Sequence, residues 1–218
     1  MAAIGLLYVG AVLFVNGLVL TGAVGARAAG PLNVFVGVLQ VITPTYLVFT
    51  SGGDAATLLG ASGLYLFGFT YLYVAFLLFT DMDSAGFGYF ALFVAICAVA
   101  YSVINFTRGD DPAFGVLWLH WSFLWVLFFL VFGLKRGELA RYTGYIAAIE
   151  GWLTASVPGL LILLGVWGGG YALPLTIGFA ALGIVGYPAL YAALRRRSSH
   201  PEPAAAPSVG AEPSATTS

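Results

Sequence analysis

Seven apolar stretches, each long enough to cross a lipid bilayer, constrain the fold of this chain most strongly. A helix needs roughly 20 apolar residues to span a hydrocarbon core of about 30 Å. The segments that meet this length run from about 2 to 24, 32 to 50, 57 to 80, 87 to 106, 115 to 134, 143 to 167 and 171 to 194. Only 8% of the 218 residues are charged. The sequence therefore predicts an all-α integral membrane protein with seven transmembrane helices.

The basic residues predict how these helices are oriented. Seven of them fall on one side of the membrane and only Arg108 falls on the other. The seven are Arg27, Lys135, Arg136, Arg141, Arg195, Arg196 and Arg197. The positive-inside rule places their side in the cytoplasm, so the N-terminus lies outside and the C-terminus inside. We expect residues 1–194 to form one transmembrane domain and residues 195–218, rich in Pro, Ala and Ser, to form a disordered cytoplasmic tail.

The even-numbered segments resemble one another weakly. "FVGVLQ" from Phe35, "FVAICA" from Phe93 and "YIAAIE" from Tyr145 place Gln40, Ala98 and Glu150 at matching positions. One interpretation is a helical hairpin used three times, followed by one extra helix. Chance similarity among apolar segments is the alternative.

The fifth segment contains "WLHWSFLW", in which three tryptophans lie on one stripe of a helix. Trp118, Trp121 and Trp125 have the spacing i, i+3 and i+7, with Ser122 close beside them and His120 nearly opposite. Their rings can stack and can also donate hydrogen bonds. This face could contact lipid, another helix or a solute.

Polar groups within the spans are few, and leaving them unpaired in a membrane is costly. Glu150 is the one carboxylate deep within a span, so we expect it to face the bundle interior. It could accept hydrogen bonds along a polar pathway, or it could be a protonated or paired packing residue. Asn16 shares a stripe of the first helix with three apolar residues, Leu6, Val9 and Leu13.

The third segment has a second aromatic stripe, formed by Tyr65, Phe69 and Tyr73 at intervals of four residues. Ordinary helix packing or an interfacial belt would also produce such stripes. Because these rings sit near the middle of their helices, they favour a narrow passage for a small, neutral, planar solute.

Several chemistries find no support in this sequence. The last segment has no lysine for a retinal Schiff base, and no nucleotide-binding, zinc-protease or Ser-His-Asp pattern occurs. We expect His120 to contact a neighbouring helix rather than a metal. The net charge of −1 carries no information about nucleic acid, and we predict no nucleic-acid partner. We therefore predict no catalytic residues, no cofactor, no metal site and no enzymatic activity.

Five segments in the same order resemble the AmiS/UreI family of urea and short-chain amide channels. They are "LLYVGAVLFVNG" (6–17), "LFGFTYLYVA" (66–75), "LFVAI" (92–96), "WSFLW" (121–125) and "IAAIEGWLTASVP" (146–158). The resemblance implies a twisted bundle of three hairpin repeats with a pore through each protomer, and a homo-hexameric ring. It further implies passive flow of urea or small amides across the bacterial inner membrane to a cytoplasmic urease or amidase.

The resemblance also implies which residues line the pore. The constrictions would be formed by helices five, three and one, through Trp121, Leu124, Trp125, Phe69, Tyr73, Leu6, Val9 and Leu13. Asn16 and Glu150 would be the polar pore positions.

Two departures from the family's pattern matter. The acid-activated channels have a long external loop with histidines between helices two and three, whereas this chain has little more than "SGGD" (51–54). A gate near the histidine pKa then has nothing to titrate, which predicts a member of the amide-transporting branch without acid gating. The seventh segment is the second departure, since the urea channels have six helices.

Two other functions remain open at the level of sequence. The first is a proton-coupled amide carrier in which Glu150 titrates. The second is a membrane sensor or scaffold that binds a partner through its tail.

Overall fold

A computed structural model describes residues 2–109 and 111–199. The predicted tail from residue 200 onward, including His200, lies outside the described residues. Within them, seven helices are long and apolar enough to cross a membrane, which confirms the predicted all-α fold. Their bounds are Ala2–Thr21 (α1), Ala26–Thr50 (α2), Ala55–Phe79 (α3), Ala85–Thr107 (α4), Pro112–Gly133 (α5), Gly137–Leu163 (α6) and Gly169–Arg196 (α7).

Some helix boundaries differ from those predicted. Helix α2 begins at Ala26 rather than near residue 32, so that Pro31 lies inside it and cannot donate a hydrogen bond to the carbonyl four residues earlier. Helix α6 ends at Leu163 rather than near 167, since Gly165 and Gly168 adopt positive φ angles of 69° and 85° that stop a right-handed helix. The last helical segment continues to Ser199, beyond the predicted start of the tail at residue 195.

Three of the described helices contain π-helical turns. These are Phe129–Gly133 in α5, Gly151–Ser156 in α6 and Leu182–Gly186 in α7. Such turns insert a residue into the helical repeat and often occur at functional sites. Two of them adjoin polar residues, because one directly follows Glu150 and another directly precedes Tyr187.

The first six helices pack as three close pairs, α2 with α3, α4 with α5, and α6 with α1. Small residues permit the close approach, as expected for membrane helices. A Cβ atom on Gly68 would lie 2.9 Å from the carbonyl oxygen of Gln40, and one on Gly17 would lie 2.5 Å from that of Gly144. Gln40, Ala98 and Glu150, which the sequence repeat aligned, are all buried.

Helix α7 packs at the edge of this bundle, mainly against α5 and to a smaller extent against α6. Only 11% of its most apolar window is buried, compared with 56% for α5. Helix α5 is therefore the most enclosed of the described spans, and α7 is the most peripheral.

Candidate functional site

Helix α5 supplies the centre of the site. Asp111 starts this helix, because its Oδ1 atom accepts a hydrogen bond from the backbone N–H of Phe114 at 2.9 Å and Pro112 fits the first turn. Trp121, Leu124 and Trp125 are all fully buried. The indole N–H of Trp121 donates a hydrogen bond to the Thr154 hydroxyl at 3.0 Å. That hydroxyl donates in turn to the backbone carbonyl oxygen of Glu150 at 2.7 Å.

Helix α3 turns a different face inward from the one predicted. Phe69 is 50% exposed and stacks on Tyr65 at a centroid distance of 5.6 Å, so its placement in the interior is wrong. Tyr73 is half-buried, and its ring packs edge-on against Phe87 at 5.7 Å.

Phe67 and Tyr71 occupy the inner face of α3 instead. Tyr71 is 1% exposed, and the Phe67 ring lies 5.2 Å from that of Trp121 and 6.1 Å from that of Trp125. Both aromatic pairs have the spacing i, i+4, but an offset of two residues rotates one pair about 200° from the other. A signal for the correct face was available, because polar Thr70 and small Gly63 lie on the Phe67–Tyr71 stripe.

Helix α1 presents the predicted stripe to the interior. Leu6, Val9 and Leu13 are buried. Asn16 lies at the end of this stripe and exchanges two amide hydrogen bonds with Asn33 of α2, at 2.9 and 2.7 Å. The sequence reasoning did not single out Asn33, which pairs the Asn16 amide with a neighbouring helix.

Glu150 is fully buried and is bonded to helix α7. Its Oε1 atom lies 3.0 Å from the Tyr187 hydroxyl. That hydroxyl lies 2.8 Å from Nδ1 of His120, whose Nε2 lies 2.9 Å from the carbonyl oxygen of Phe179. His120 thus contacts a neighbouring helix, and sequence reasoning missed its partner Tyr187.

Four buried polar atoms have no hydrogen-bond partner among the described residues. They are the Gln40 Oε1, Tyr71 hydroxyl, Trp125 Nε1 and Glu150 Oε2 atoms. Most buried polar groups in proteins are paired, and an unpaired one costs about 1–3 kcal/mol. The set contains a donor, two acceptors and a hydroxyl that can do both, so it can bind a solute that itself donates and accepts.

A cavity of about 60 Å³ reaches two of these four residues, Tyr71 and Trp125. Leu13 and Asn16 also line it, and Phe132 stands towards the bundle end that carries Lys135. Beside the cavity the Phe67 ring packs against the rings of both Trp121 and Trp125. The cavity and the ring cluster beside it form a narrow aromatic slot, with the polar atoms of Tyr71 and Trp125 in the cavity wall.

The described residues contain no cluster of three or more His, Cys, Asp or Glu side chains that could hold a metal ion. The short turn between α2 and α3 carries Asp54, which caps α3 by accepting a hydrogen bond from the Thr57 backbone N–H at 2.7 Å. This bonding lowers the pKa of Asp54.

Seven apolar helices, six of which enclose an aromatic slot, define a multi-pass membrane protein of the channel and transporter class. Residues 1–166 match the model of the AmiS/UreI family transporters, and the chain belongs to this family. It is accordingly a transporter or channel and not an enzyme.

The relatives lie in two groups. A protein described as an amidate substrates transporter in Mycolicibacterium smegmatis is 53% identical over 86% of this chain and 89% of its own length. The transporter protein AmiS2 of Rhodococcus erythropolis is 53% identical over 76% of this chain and 80% of its own. The acid-activated urea channel of Helicobacter pylori strain J99 is 30% identical, and 77% of this chain covers all of that protein.

The crystal structure of the Helicobacter pylori urea channel superposes with a TM-score of 0.70 at 31% identity. The match covers 77% of this chain and all of that one. The cryo-EM structure of the same channel in a closed state matches equally well.

Proposed function

We propose that the protein is a passive channel for urea or short-chain aliphatic amides, with the aromatic slot as its path. One observation carries the proposal, namely the unpartnered polar atoms of the bundle interior, two of which belong to Tyr71 and Trp125 in the cavity wall. The N–H groups of an amide can donate to the Glu150 Oε2 atom, while its carbonyl can accept from the Trp125 indole or the Tyr71 hydroxyl. The flat faces of such a solute fit between aromatic rings.

The proposal replaces Phe69 and Tyr73 by Phe67 and Tyr71 in the constriction. The remaining members are unchanged, namely Trp121, Leu124, Trp125, Leu6, Val9 and Leu13, with Asn16 and Glu150 as polar positions. Ions are excluded because the slot walls are apolar apart from a few uncharged dipoles and one buried carboxyl, and desolvating an ion there costs several kcal/mol.

Substrate class follows the relatives. Two of them are described as transporters of the amidate or AmiS type, and a more distant one is a urea channel. The turn Ser51–Asp54 contains no histidine, and Asp54 has a lowered pKa, so it stays ionised through mildly acid pH. We therefore expect a channel without acid gating.

The setting we propose is the bacterial inner membrane, with the N-terminus outside and the C-terminus in the cytoplasm. Protomers would form a homo-hexamer in which each carries its own path. A cytoplasmic urease or amidase would consume the permeant and so keep flow inward.

Proteoliposomes provide the test. Acetamide and urea should permeate without any ion gradient, with rates that change little between about pH 5 and 7.5, where an unperturbed histidine would titrate. Uptake that vanishes when the proton gradient is collapsed would overturn the channel in favour of a proton-coupled carrier.

The carrier is the second candidate, because a buried carboxyl such as Glu150 is the group that proton-coupled transport requires. Glu150→Gln separates the two. A carrier loses coupled uptake, whereas a channel retains measurable permeation because glutamine keeps an oxygen acceptor.

A further inference from the structure

We propose that a hydrogen-bond chain from α7 holds Glu150 in its uncharged, protonated form, with Tyr187 and His120 as positioning residues. The effect of these hydrogen bonds on transport rests on the proposed function, whereas the existence of the bonds does not. Tyr187 and Phe179 lie on α7, outside residues 1–166 that match the family model, so the seventh helix supplies two of the four groups in this series of bonds.

The bonds form an unbroken series across three helices. The Glu150 Oε1 atom of α6 lies 3.0 Å from the Tyr187 hydroxyl of α7, which lies 2.8 Å from Nδ1 of His120 in α5. Nε2 of His120 then lies 2.9 Å from the Phe179 carbonyl of α7. Edge-on packing of the His120 and Tyr187 rings, at a centroid distance of 5.2 Å, holds the geometry.

The number of protons that these hydrogen bonds need restricts the protonation states of Glu150 and His120. A carbonyl only accepts, so Nε2 of His120 must carry a proton. Three contacts need three donated protons, but Tyr187 has one hydroxyl proton and a neutral His120 has one N–H. The third proton must therefore sit either on Glu150 or on Nδ1 of His120. An ionised Glu150 beside a neutral His120 would leave two acceptors facing each other with no proton between them.

Burial decides between the two remaining arrangements. The protonated Glu150 with a neutral His120 places no charge in the core, whereas the alternative buries a carboxylate and an imidazolium. Within the described part of the chain Glu150 forms no ion pair. The titratable side chains that face the series are Tyr71 from α3 and Tyr142 from α6, and the Tyr142 hydroxyl donates to the Tyr187 carbonyl at 3.2 Å. These neutral phenols offer no charge that would stabilise a carboxylate.

The uncharged form has a consequence for the slot. In this arrangement the proton lies on Oε1 and is donated to the Tyr187 oxygen 3.0 Å away, the reverse of a carboxylate that accepts from the Tyr187 hydroxyl. Oε2 is then a carbonyl-type acceptor, and it has no partner among the described residues. Such an oxygen can accept from an amide N–H without attracting a cation. The seventh helix thereby sets both the orientation and the charge of the acidic position.

Histidine NMR on the full chain in proteoliposomes tests this directly. The sequence has two histidines, so His200→Ala with a purification tag lacking histidine leaves His120 as the single ¹⁵N-histidine signal. We expect one protonated and one unprotonated ring nitrogen, together with an infrared band of a protonated carboxylic acid that disappears in Glu150→Gln. Two protonated ring nitrogens, or the absence of that infrared band, would overturn the proposal.

Permeation measurements test the positioning role separately. Tyr187→Phe removes the hydroxyl that links Glu150 to His120 and should lower acetamide permeability about fivefold, the effect of losing one hydrogen bond. Tyr191→Phe, one turn further along α7, is the matched control and should leave permeability unchanged. Equal effects of the two variants would contradict the positioning role. A wild-type protein that shows the expected spectra but no amide permeation would overturn the proposed function and leave the hydrogen-bond chain standing.

Discussion

At the scale of single residues, buried polarity distinguishes two faces of helix α3. Tyr71 is enclosed and its hydroxyl has no partner among the described residues, whereas Tyr73 lies half-buried against Phe87. A polar atom in such a position is costly to the fold. On the proposed function, a permeating solute offsets this cost by supplying the missing hydrogen bond.

This contrast yields a matched pair of substitutions. Tyr71→Phe removes the inward hydroxyl without changing the ring and should lower acetamide permeability about fivefold, because about 1 kcal/mol of hydrogen bonding to the solute is lost. Tyr73→Phe should change permeability less than twofold. Stopped-flow measurements on proteoliposomes with equal protein content check both. A larger effect at Tyr73 would show that the path lies on the other face of the helix.

The sequence allowed some of these residues to be predicted but not others. The tryptophan stripe of α5 and the burial of Glu150 could be predicted, because an isolated carboxylate and three spaced indoles leave few alternatives in a membrane. The inner face of α3 could not be read from ring spacing alone, since Phe67 and Tyr71 share the spacing of Phe69 and Tyr73. Tyr187 was missed because its role depends on how α7 docks, which no local pattern encodes.

At the scale of helices, close backbone contact holds the bundle together. Without a hydrophobic force between helices in lipid, van der Waals packing through small residues provides much of the stability. Helices α1 and α6 meet at Gly17 and Gly144, where a Cβ on Gly17 would approach the Ala148 backbone nitrogen to 2.7 Å. Since backbone atoms cannot move aside alone, the helices themselves would have to separate.

Gly17→Ala should therefore destabilise the protein by about 1–3 kcal/mol, the usual cost of overpacking. Gly178→Ala in α7 is the control, because a Cβ there meets no atom within 4 Å. It should leave stability unchanged or raise it by up to about 1 kcal/mol through helix propensity. Thermal unfolding in detergent measures both, and an unchanged Gly17→Ala protein would contradict the close packing of α1 and α6.

The loops that join the helices contribute a weaker, pH-dependent interaction. Lys135 donates hydrogen bonds to Asp83 and to the Ser84 hydroxyl, linking the α3–α4 loop to the α5–α6 loop. The bond from Lys135, followed by that from the Ala85 backbone N–H, lowers the pKa of Asp83 below its usual 3.8. Because the folded pKa is depressed, the contribution to stability is complete above the unfolded pKa and is lost as pH falls through the folded pKa.

Acidification below about pH 4, the ordinary range for an aspartate, should thus lower the unfolding temperature of wild type more than that of Asp83→Asn. The difference should be small and should shrink at high salt, since the pair is exposed. Unfolding curves recorded at several pH values and two salt concentrations check this. Identical pH profiles for the two proteins would show that the ion pair contributes nothing.

At the scale of the whole molecule, six helices enclose the slot and the seventh bonds to it from outside. The pairing of α6 with α1 closes the bundle, so that residues distant in sequence meet at the interior. The number and length of the spans could be predicted from apolar runs, because bilayer thickness fixes them. The order of packing and the docking of α7 could not, because apolar helices lack a polar face that would orient them.

The proposed function requires the solute to pass through the interior slot of the protein. In a Cys97→Ala background, Leu13→Cys places a thiol in the wall of the cavity beside Trp125, and Phe69→Cys places one on the outer face. We predict that a small thiol reagent blocks acetamide permeation through Leu13→Cys, that acetamide slows the block, and that labelled Phe69→Cys stays active. Unchanged permeation through fully labelled Leu13→Cys, verified by mass spectrometry, would contradict the account.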